Sequence, residues 1–451
     1  MTKTNLLTKT LLASALISVT SGASAAAFQL AEVSTSGLGR AYAGEAAIAD
    51  NAAVVATNPA LMTQFKRPEF SIGGVYVDSK IRLNGDVQLT GSTPLAAGTI
   101  AMANQFGSTS GSANVNSVVP GAFVPNLYYI HPIDDRFAVG GGMNVNFGMK
   151  SEFDADYNAG LFGGTTDLTA LNLNLSGAYK ISEGWSIGLG LNAVYAKAKV
   201  ERTAGVVSPL LNLQRAAAGL APNLNSSSVI THLEDDAWGF GWNAGVTYNF
   251  NENNRVGLAY HSHINIDFKD NSAVSPRNPL GATGELTLNL PAYWEFSGYH
   301  KMTDKFAMHY SYKYTTWNRF KELCGTYVSS GQTCDALYKK EEFKNNQRLA
   351  LGATYDVNDA LTVRAGIAYD ETAAGQHKSA SIPDTDRTWY SVGLTYKFTP
   401  NFSADFGYTH IRGSKTQFVE TETLANGVVL QADYSSKSSA NLYGLNLNYR
   451  F

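Results

Sequence analysis

The sequence predicts an all-β fold: a 14-stranded antiparallel transmembrane β-barrel plugged by a small N-terminal hatch domain. Three observations carry that expectation. The chain ends on NLYGLNLNYRF, in which Tyr443, Leu445, Leu447, Tyr449 and Phe451 share one parity and Asn446, Asn448 and Arg450 the other. Alternate side chains of a strand point to opposite faces, so this strand has an oily face and a polar one, with aromatics where it would meet the membrane interfaces. Only 16% of the 451 residues are charged, against about 25% in soluble proteins. Mean hydropathy is nevertheless only −0.15, as expected when outward apolar and inward polar residues average out. Lastly, the two-residue period recurs in about fourteen segments, an even number as in single-chain bacterial barrels.

Taken in order, the first element is an export signal, residues 1–25. Lys3 and Lys9 supply positive charge, Leu11 to Val19 is mostly apolar, and Ala23-Ser24-Ala25 has the small-x-small form of a cleavage site. The apolar run is shorter than the roughly 20 residues that a membrane-spanning helix needs. Residues 26–67 do not alternate and are rich in small residues. They are too few to build a core alone, so their place is inside the barrel as a hatch.

Residues 68–451 read as the barrel. Strands are expected near 68–80, 120–132, 136–152, 167–181, 185–203, 231–250 and 254–269. The second half adds 284–301, 305–321, 337–356, 360–371, 386–398, 402–418 and 437–451. Leu171, Leu173 and Leu175 against Asn172, Asn174 and Ser176 show the alternation cleanly. Short connections such as ISEG after 180, FNENN after 249 and VNDA after 356 should face the periplasm. The long ones, 81–118, 204–230, 270–283, 322–336 and 372–385, should face outward. Within 204–230, PLLNLQRAAAGLAPNL is apolar enough for a short helix, and exposed apolar surface marks a binding site.

Little else in the chain suggests chemistry. Cys324 and Cys334 flank a polar loop in an exported protein, which favours a local disulfide; metal-binding or reactive thiols would need partners at ligand spacing. His261 and His263 read as sharing the lumen side of one strand, where polar lining accounts for them better than a metal lacking a third ligand. G-x-S-x-G, H-E-x-x-H and phosphate-loop motifs are missing, so no catalytic residue, cofactor or metal is expected. A net charge of −3 leaves no basic excess for nucleic acid.

AFQLAEVSTSGLGRAYAGEAAIADNAAVVATNPAL at 27–61 closely resembles the hatch of the FadL family, the outer-membrane long-chain fatty acid transporters. The resemblance continues through GGTTDL (163–168), LNLNLSGAY (171–179), GLGLNAVYAKAKVER (188–202), WGFGWNAG (238–245) and SIPDTDR (381–387) to Phe451. It implies passive, ligand-gated uptake of long-chain fatty acids, with release through a gap in the barrel wall. By position it implies a ligand carboxylate held by Arg202 and Lys339, hatch gating by Phe28, Asn58, Pro59 and Ala60, and a wall kink at Asn146, Phe147 and Gly148. Arg202 has lumen parity counted from Asn192, but parity counted back from Arg348 turns Lys339 outward and Lys340 inward, so both lysines stand as candidates. Aromatic or other hydrophobic hydrocarbons are the alternative cargo within the family, and a structural or adhesive barrel is the alternative outside it. The expected partners are fatty acids and other hydrophobic ligands, with outer-membrane lipid and lipopolysaccharide around a monomer; a phage-receptor role of the outer loops stays open.

Overall fold

A computed structural model describes residues 27–276 and 278–451; the expected export signal lies outside them. Twenty strand segments form one sheet that closes on itself. The last, β20 (Val429–Arg450), pairs antiparallel with the first, β1 (Glu69–Thr90), from Arg450 opposite Glu69 to Val429 opposite Thr90. Closure pairs the first and last strands, which would otherwise be open edges, as backbone within hydrocarbon requires.

The segments make fourteen wall strands because five of these are interrupted. β8 (Asn254–His261) continues as β9 (Ile264–Ser275), and β10 (Asn278–Leu290) as β11 (Tyr293–Lys301). β12 (Phe306–Thr315) continues as β13 (Glu322–Tyr327), β14 (Leu337–Lys340) as β15 (Asn346–Asp356), and β18 (Phe402–Gly413) as β19 (Thr416–Thr423). Unbroken strands are β1, β3 (Ala122–Pro132), β4 (Phe137–Glu152), β5 (Thr165–Lys180), β6 (Trp185–Thr203), β7 (Val229–Asn251), β16 (Leu361–Asp370), β17 (Arg387–Lys397) and β20. A short β2 (Ser110–Ser112) leans on β1.

Alternation holds along the unbroken strands. Leu175, Leu189, Leu191 and Phe240 face outward and are exposed, whereas Asn172, Asn174, Asn192 and Asn446 are buried inside. Two expectations about length fail. The strand after Pro68 runs to Thr90 and the closing strand starts at Val429, because the two pair far beyond the membrane. The expected loop at 270–283 is mostly strand for the same reason, β9 and β10 extending each other. The interruptions also reset parity. His261 lies inside with Nε2 3.0 Å from the Ala56 carbonyl, but His263 falls in a break and is exposed. These two histidines therefore do not share the lumen.

Residues 27–67 fill the interior as short helices at Thr35–Leu38 and Val54–Thr57 and a 3-10 helix at Pro59–Gln64. Their backbone comes so close to the wall that a Cβ at Gly245 would stand 1.8 Å from Asn58 Oδ1, and one at Gly366 2.2 Å from the Arg40 carbonyl. Polar ties fix the register. Thr35 donates to Asn446 (2.8 Å), Arg348 to the Ala41 carbonyl (3.0 Å) and Arg255 to Gln64 (3.0 Å). Arg40 is wholly buried between Glu45 (2.6 Å) and Asp50, and Arg364 of β16 reaches Asp50 at 3.6 Å. Burial pushes the Glu45 carboxyl up to about 7 despite Arg40. Burial also acts on Asp50, but Arg40 and Arg364 overcome it and hold that carboxyl down to about 2.

Two outcomes follow from this packing. Gly366→Val is expected to unseat the inner segment at a cost of about 1–3 kcal/mol, the usual range for overpacking. Planar-bilayer recordings should then show larger conductance from a barrel that still shifts on heating in gels; unchanged conductance would refute the close fit. The raised Glu45 stabilises seating fully below its ordinary pKa and loses that contribution as pH climbs through about 7. The depressed Asp50 stabilises above its ordinary pKa and loses that only as pH falls toward about 2. Amide exchange of residues 40–50, corrected for intrinsic rates, should therefore show weaker protection at about pH 8.5 than at about pH 5.5. Glu45→Gln should flatten that difference.

Candidate ligand site

Two apolar regions could receive a hydrophobic molecule. One lies among the long connections, where helices at Pro94–Ala103 and Ser208–Ala217 meet Phe153, Tyr157 and Phe162. Leu95, Met102 and Leu220 stay exposed there. The helix at 208–217 stands in the apolar stretch singled out from the sequence. The helix at 94–103 was missed, although Thr93 capping Ala96 and Pro94 in the first turn is a legible start signal.

The other region is interior, on the long-loop side of the filling segment. Phe28 is buried against Trp317 (centroids 4.6 Å apart), Phe320 (5.3 Å) and Phe147 (6.3 Å), each contact edge-on. Phe343 closes the group at 4.9 Å from Phe320. Edge-on contacts of this kind hold aromatic rings beyond what their buried area supplies. Trp317, Phe320 and Phe343 were not singled out from the sequence. They belong to the interruptions of two wall strands, where the two-residue period gives no guidance.

Phe28 is held from below by backbone pairing with the wall. In β4 an extra residue, Asn146, breaks the register between Val145 and Phe147. Such a bulge bends a strand and re-aims its side chains, here turning Phe147 inward. The ladder between β3 and β4 stops where Asn126 faces Asn144, while β4 keeps its pairing with β5 to Glu152. The stretch beyond the bulge binds the chain inside instead: Gly148 N–H donates to the Phe28 carbonyl (2.9 Å) and Leu30 N–H to the Asn146 carbonyl (3.0 Å). Two spaces adjoin this point. One, about 490 Å³ with its open mouth, is lined by Asn144, Asn146, Asn172, Asn192, His261 and Tyr293. The second, about 610 Å³ with its open mouth, lies between Ser79 and Ile81 of β1 and Met149 and Lys150 of β4.

Asn58 sits where one short helix ends and the next begins. Its Oδ1 accepts from Ala60 N–H (3.1 Å) and its Nδ2 donates to the Ala46 carbonyl (2.7 Å), with Pro59 opening the 3-10 turn. The tripeptide thus joins two turns of the filling segment, with its asparagine packed against wall glycines.

The charged groups adjoin the same apolar cluster: Lys339 stands opposite Leu323, and Arg202 bonds Thr165 and Thr166, close in sequence to Leu168. Arg202 is buried at the end of β6 and donates to the carbonyls of Thr165 and Glu201 (2.9 Å each) and to Thr166 Oγ1 (3.0 Å). Lys339 points inward, ion-paired with Glu420 of β19 and 3.3 Å from Ser381 Oγ. Lys340 is exposed and pairs with Glu342 (2.9 Å). Parity counting from Arg348 gave the reverse assignment. It fails because β14 and β15 are separate strands, and Glu342 between them has φ 45°, which resets the alternation. Glu420 and the buried Glu341 were not anticipated; Glu420 stands 81 residues from Lys339 and no local pattern connects them. Cys324 and Cys334 are joined by a disulfide that closes the hairpin ahead of β14 (Cα–Cα 4.6 Å).

Comparison with known proteins agrees with this architecture. Residues 16–451 match the family model described as "Outer membrane protein transport protein (OMPP1/FadL/TodX)". The chain is 55% identical to Outer membrane protein P1 of Haemophilus influenzae, over 98% of this chain and 99% of the relative. It is 44% identical to the Long-chain fatty acid transport protein of Escherichia coli O6:H1, over the full length of both. A crystal structure of a Pseudomonas aeruginosa FadL homologue superposes with a TM-score of 0.79 at 23% identity, covering 94% of this chain and 100% of that one, which establishes likeness of fold.

Removing the ring that fills the aromatic group tests its part in docking. Phe28→Ala should cost about 3–5 kcal/mol locally. Exchange at Leu30 and Gly148 should then accelerate while the barrel's melting temperature holds. Unaltered exchange at both amides would show that the ring contributes nothing to docking.

Proposed function

The chain belongs to the FadL and TodX family of outer-membrane transport proteins, and from that premise we propose that its cargo is long-chain fatty acid. It is an outer-membrane transporter of hydrophobic compounds. The observation that carries the fatty acid reading is the presence of two inward-facing cations, the buried Arg202 and the largely buried Lys339, beside an apolar interior. A hydrocarbon gains nothing from a buried cation. A carboxylate in an apolar pocket needs one, together with hydrogen bonds. The full-length relative named for long-chain fatty acid transport supports the same cargo.

The route we propose starts at the apolar surface between the two loop helices and passes to the interior site. Residues 26–67 act as the hatch, with residues 1–25 removed on export. Each methylene of the acyl chain taken from water contributes about 0.8 kcal/mol, enough to draw a long chain inward without an energy source. Arrival of the ligand displaces Phe28 from Trp317 and Phe320, and Asn58, Pro59 and Ala60 articulate the accompanying shift. Release follows sideways where β3 and β4 part at Asn146, Phe147 and Gly148. The interrupted ladder and the space beside Met149 support that exit.

The aromatic lining favours a second cargo class, the monoaromatic hydrocarbons, which would pack edge-on among Phe28, Trp317 and Phe320. The two readings separate cleanly. Replacing Arg202 and Lys339 by Gln should lower oleate uptake about tenfold or more, since hydrogen bonds to charged groups contribute about 1.5–3 kcal/mol each. Toluene uptake should be unaffected. An equal fall in both would overturn the headgroup assignment.

A further inference from the structure

We propose that the interior site holds the fatty acid together with one proton, because the two cations that would meet its carboxylate already face two buried carboxyl groups of the protein. This rests on the fatty acid reading above and concerns the form in which that cargo is held. Four side chains make the cluster. Arg202 and Lys339 carry positive charge; Glu420 is ion-paired with Lys339, and both Glu420 and Glu341 lie within electrostatic range of Arg202. All four are buried or nearly so, with the Glu341 side chain only 1% exposed. Burial pushes the Glu341 carboxyl up to about 8, so the cluster without cargo is neutral only above that pH and already holds the proton on Glu341 below it. The more exposed Glu422 of β19 adds a third acid within range of Lys339 and Glu420.

Hydrogen bonding argues the same way. Three donor contacts of Arg202 are committed to Thr165, Glu201 and Thr166. Glu420 uses its second oxygen to accept from Ala380 N–H (3.0 Å). Ser381 donates no spare charge, and Tyr157 and Tyr434, whose hydroxyls are 3.3 Å apart, are neutral groups facing Glu420. Glu341 Oε1 has no hydrogen-bond partner. A third full carboxylate would leave one negative charge without a counter-ion in a buried site, and such a group takes up a proton instead of staying ionised. The proton comes from solvent and ends on one oxygen of the cluster: Glu341, Glu420 or the cargo. No covalent bond to carbon changes. Glu420 is therefore a specificity-determining residue, setting the charge of the cargo that fits.

Calorimetry on the purified full-length protein in detergent tests this. Decanoate is titrated at about pH 9 in borate and in Tris, whose ionisation heats differ, and decanol is titrated alongside. Uptake of about one proton per decanoate is expected there, with affinity falling about tenfold per pH unit above about pH 8 and little pH slope below it. Decanol should bind with no proton exchange. In Glu420→Gln the site gains one net positive charge, so proton uptake should drop toward zero and decanoate affinity should lose its pH slope. Glu341→Gln serves as the second variant, and heat-modifiable gel mobility checks that each barrel is folded. Decanoate binding without proton exchange in the unaltered protein would overturn this inference and leave the fatty acid reading standing. Absence of decanoate binding would overturn both.

Discussion

Within a bilayer a backbone amide has no water to turn to, and nearly every feature of this chain answers that requirement. The β1–β20 seam answers it by length, pairing from Glu69–Arg450 to Thr90–Val429. The side-chain alternation follows, since a wall with one lipid face must send the other set inward. Where the ladder is abandoned, between β3 and β4, something else has to accept the bonds. The chain inside supplies them through Phe28 and Leu30. The docking of Phe28 is thus as much a repair of the wall as a filling of the pocket.

The interior is bound by polar and ionic contacts of a kind that adds little to net stability but much to uniqueness of arrangement. Arg40, Glu45, Asp50 and Arg364 exchange charge across the boundary between filling and wall. Breaking one member of such a buried set is costly, even where the intact set is no better than a hydrophobic replacement. Glycines at 245 and 366 add a steric condition, since the inner backbone lies where their side chains would be. A filling held this way has one seat.

Much of the wall was legible in the sequence, and the reason is local. In β5, β6 and β16 each residue's face depends only on its neighbours, so Asn172, Asn174 and Asn192 could be placed inside from their spacing. The family resemblance, and no local pattern, singled out Phe28, Arg202 and Lys339. Breaks defeated the counting. Glu342 turns through a left-handed conformation and exchanges the faces of Lys339 and Lys340, and the break at 262–263 separates His261 from His263. Strand ends were misjudged where pairing outlasts the membrane, as at Thr90 and Val429, because no change of composition marks that point. Partners far apart in the chain, above all Glu420 with Lys339, were invisible for the same reason that local patterns succeed elsewhere.

The filling segment runs into β1 through Phe65 to Pro68, and β1 is itself half of the closing seam. The interior occupant is therefore tethered at one end to the wall that encloses it. Its return after an excursion is an intramolecular event, governed by the local concentration that a leash of some forty residues imposes and not by supply from solution. In the proposed route, individual contacts at its far end, around Phe28, can then be weak enough to yield to a passing acyl chain. The leash ensures that the vacancy is brief.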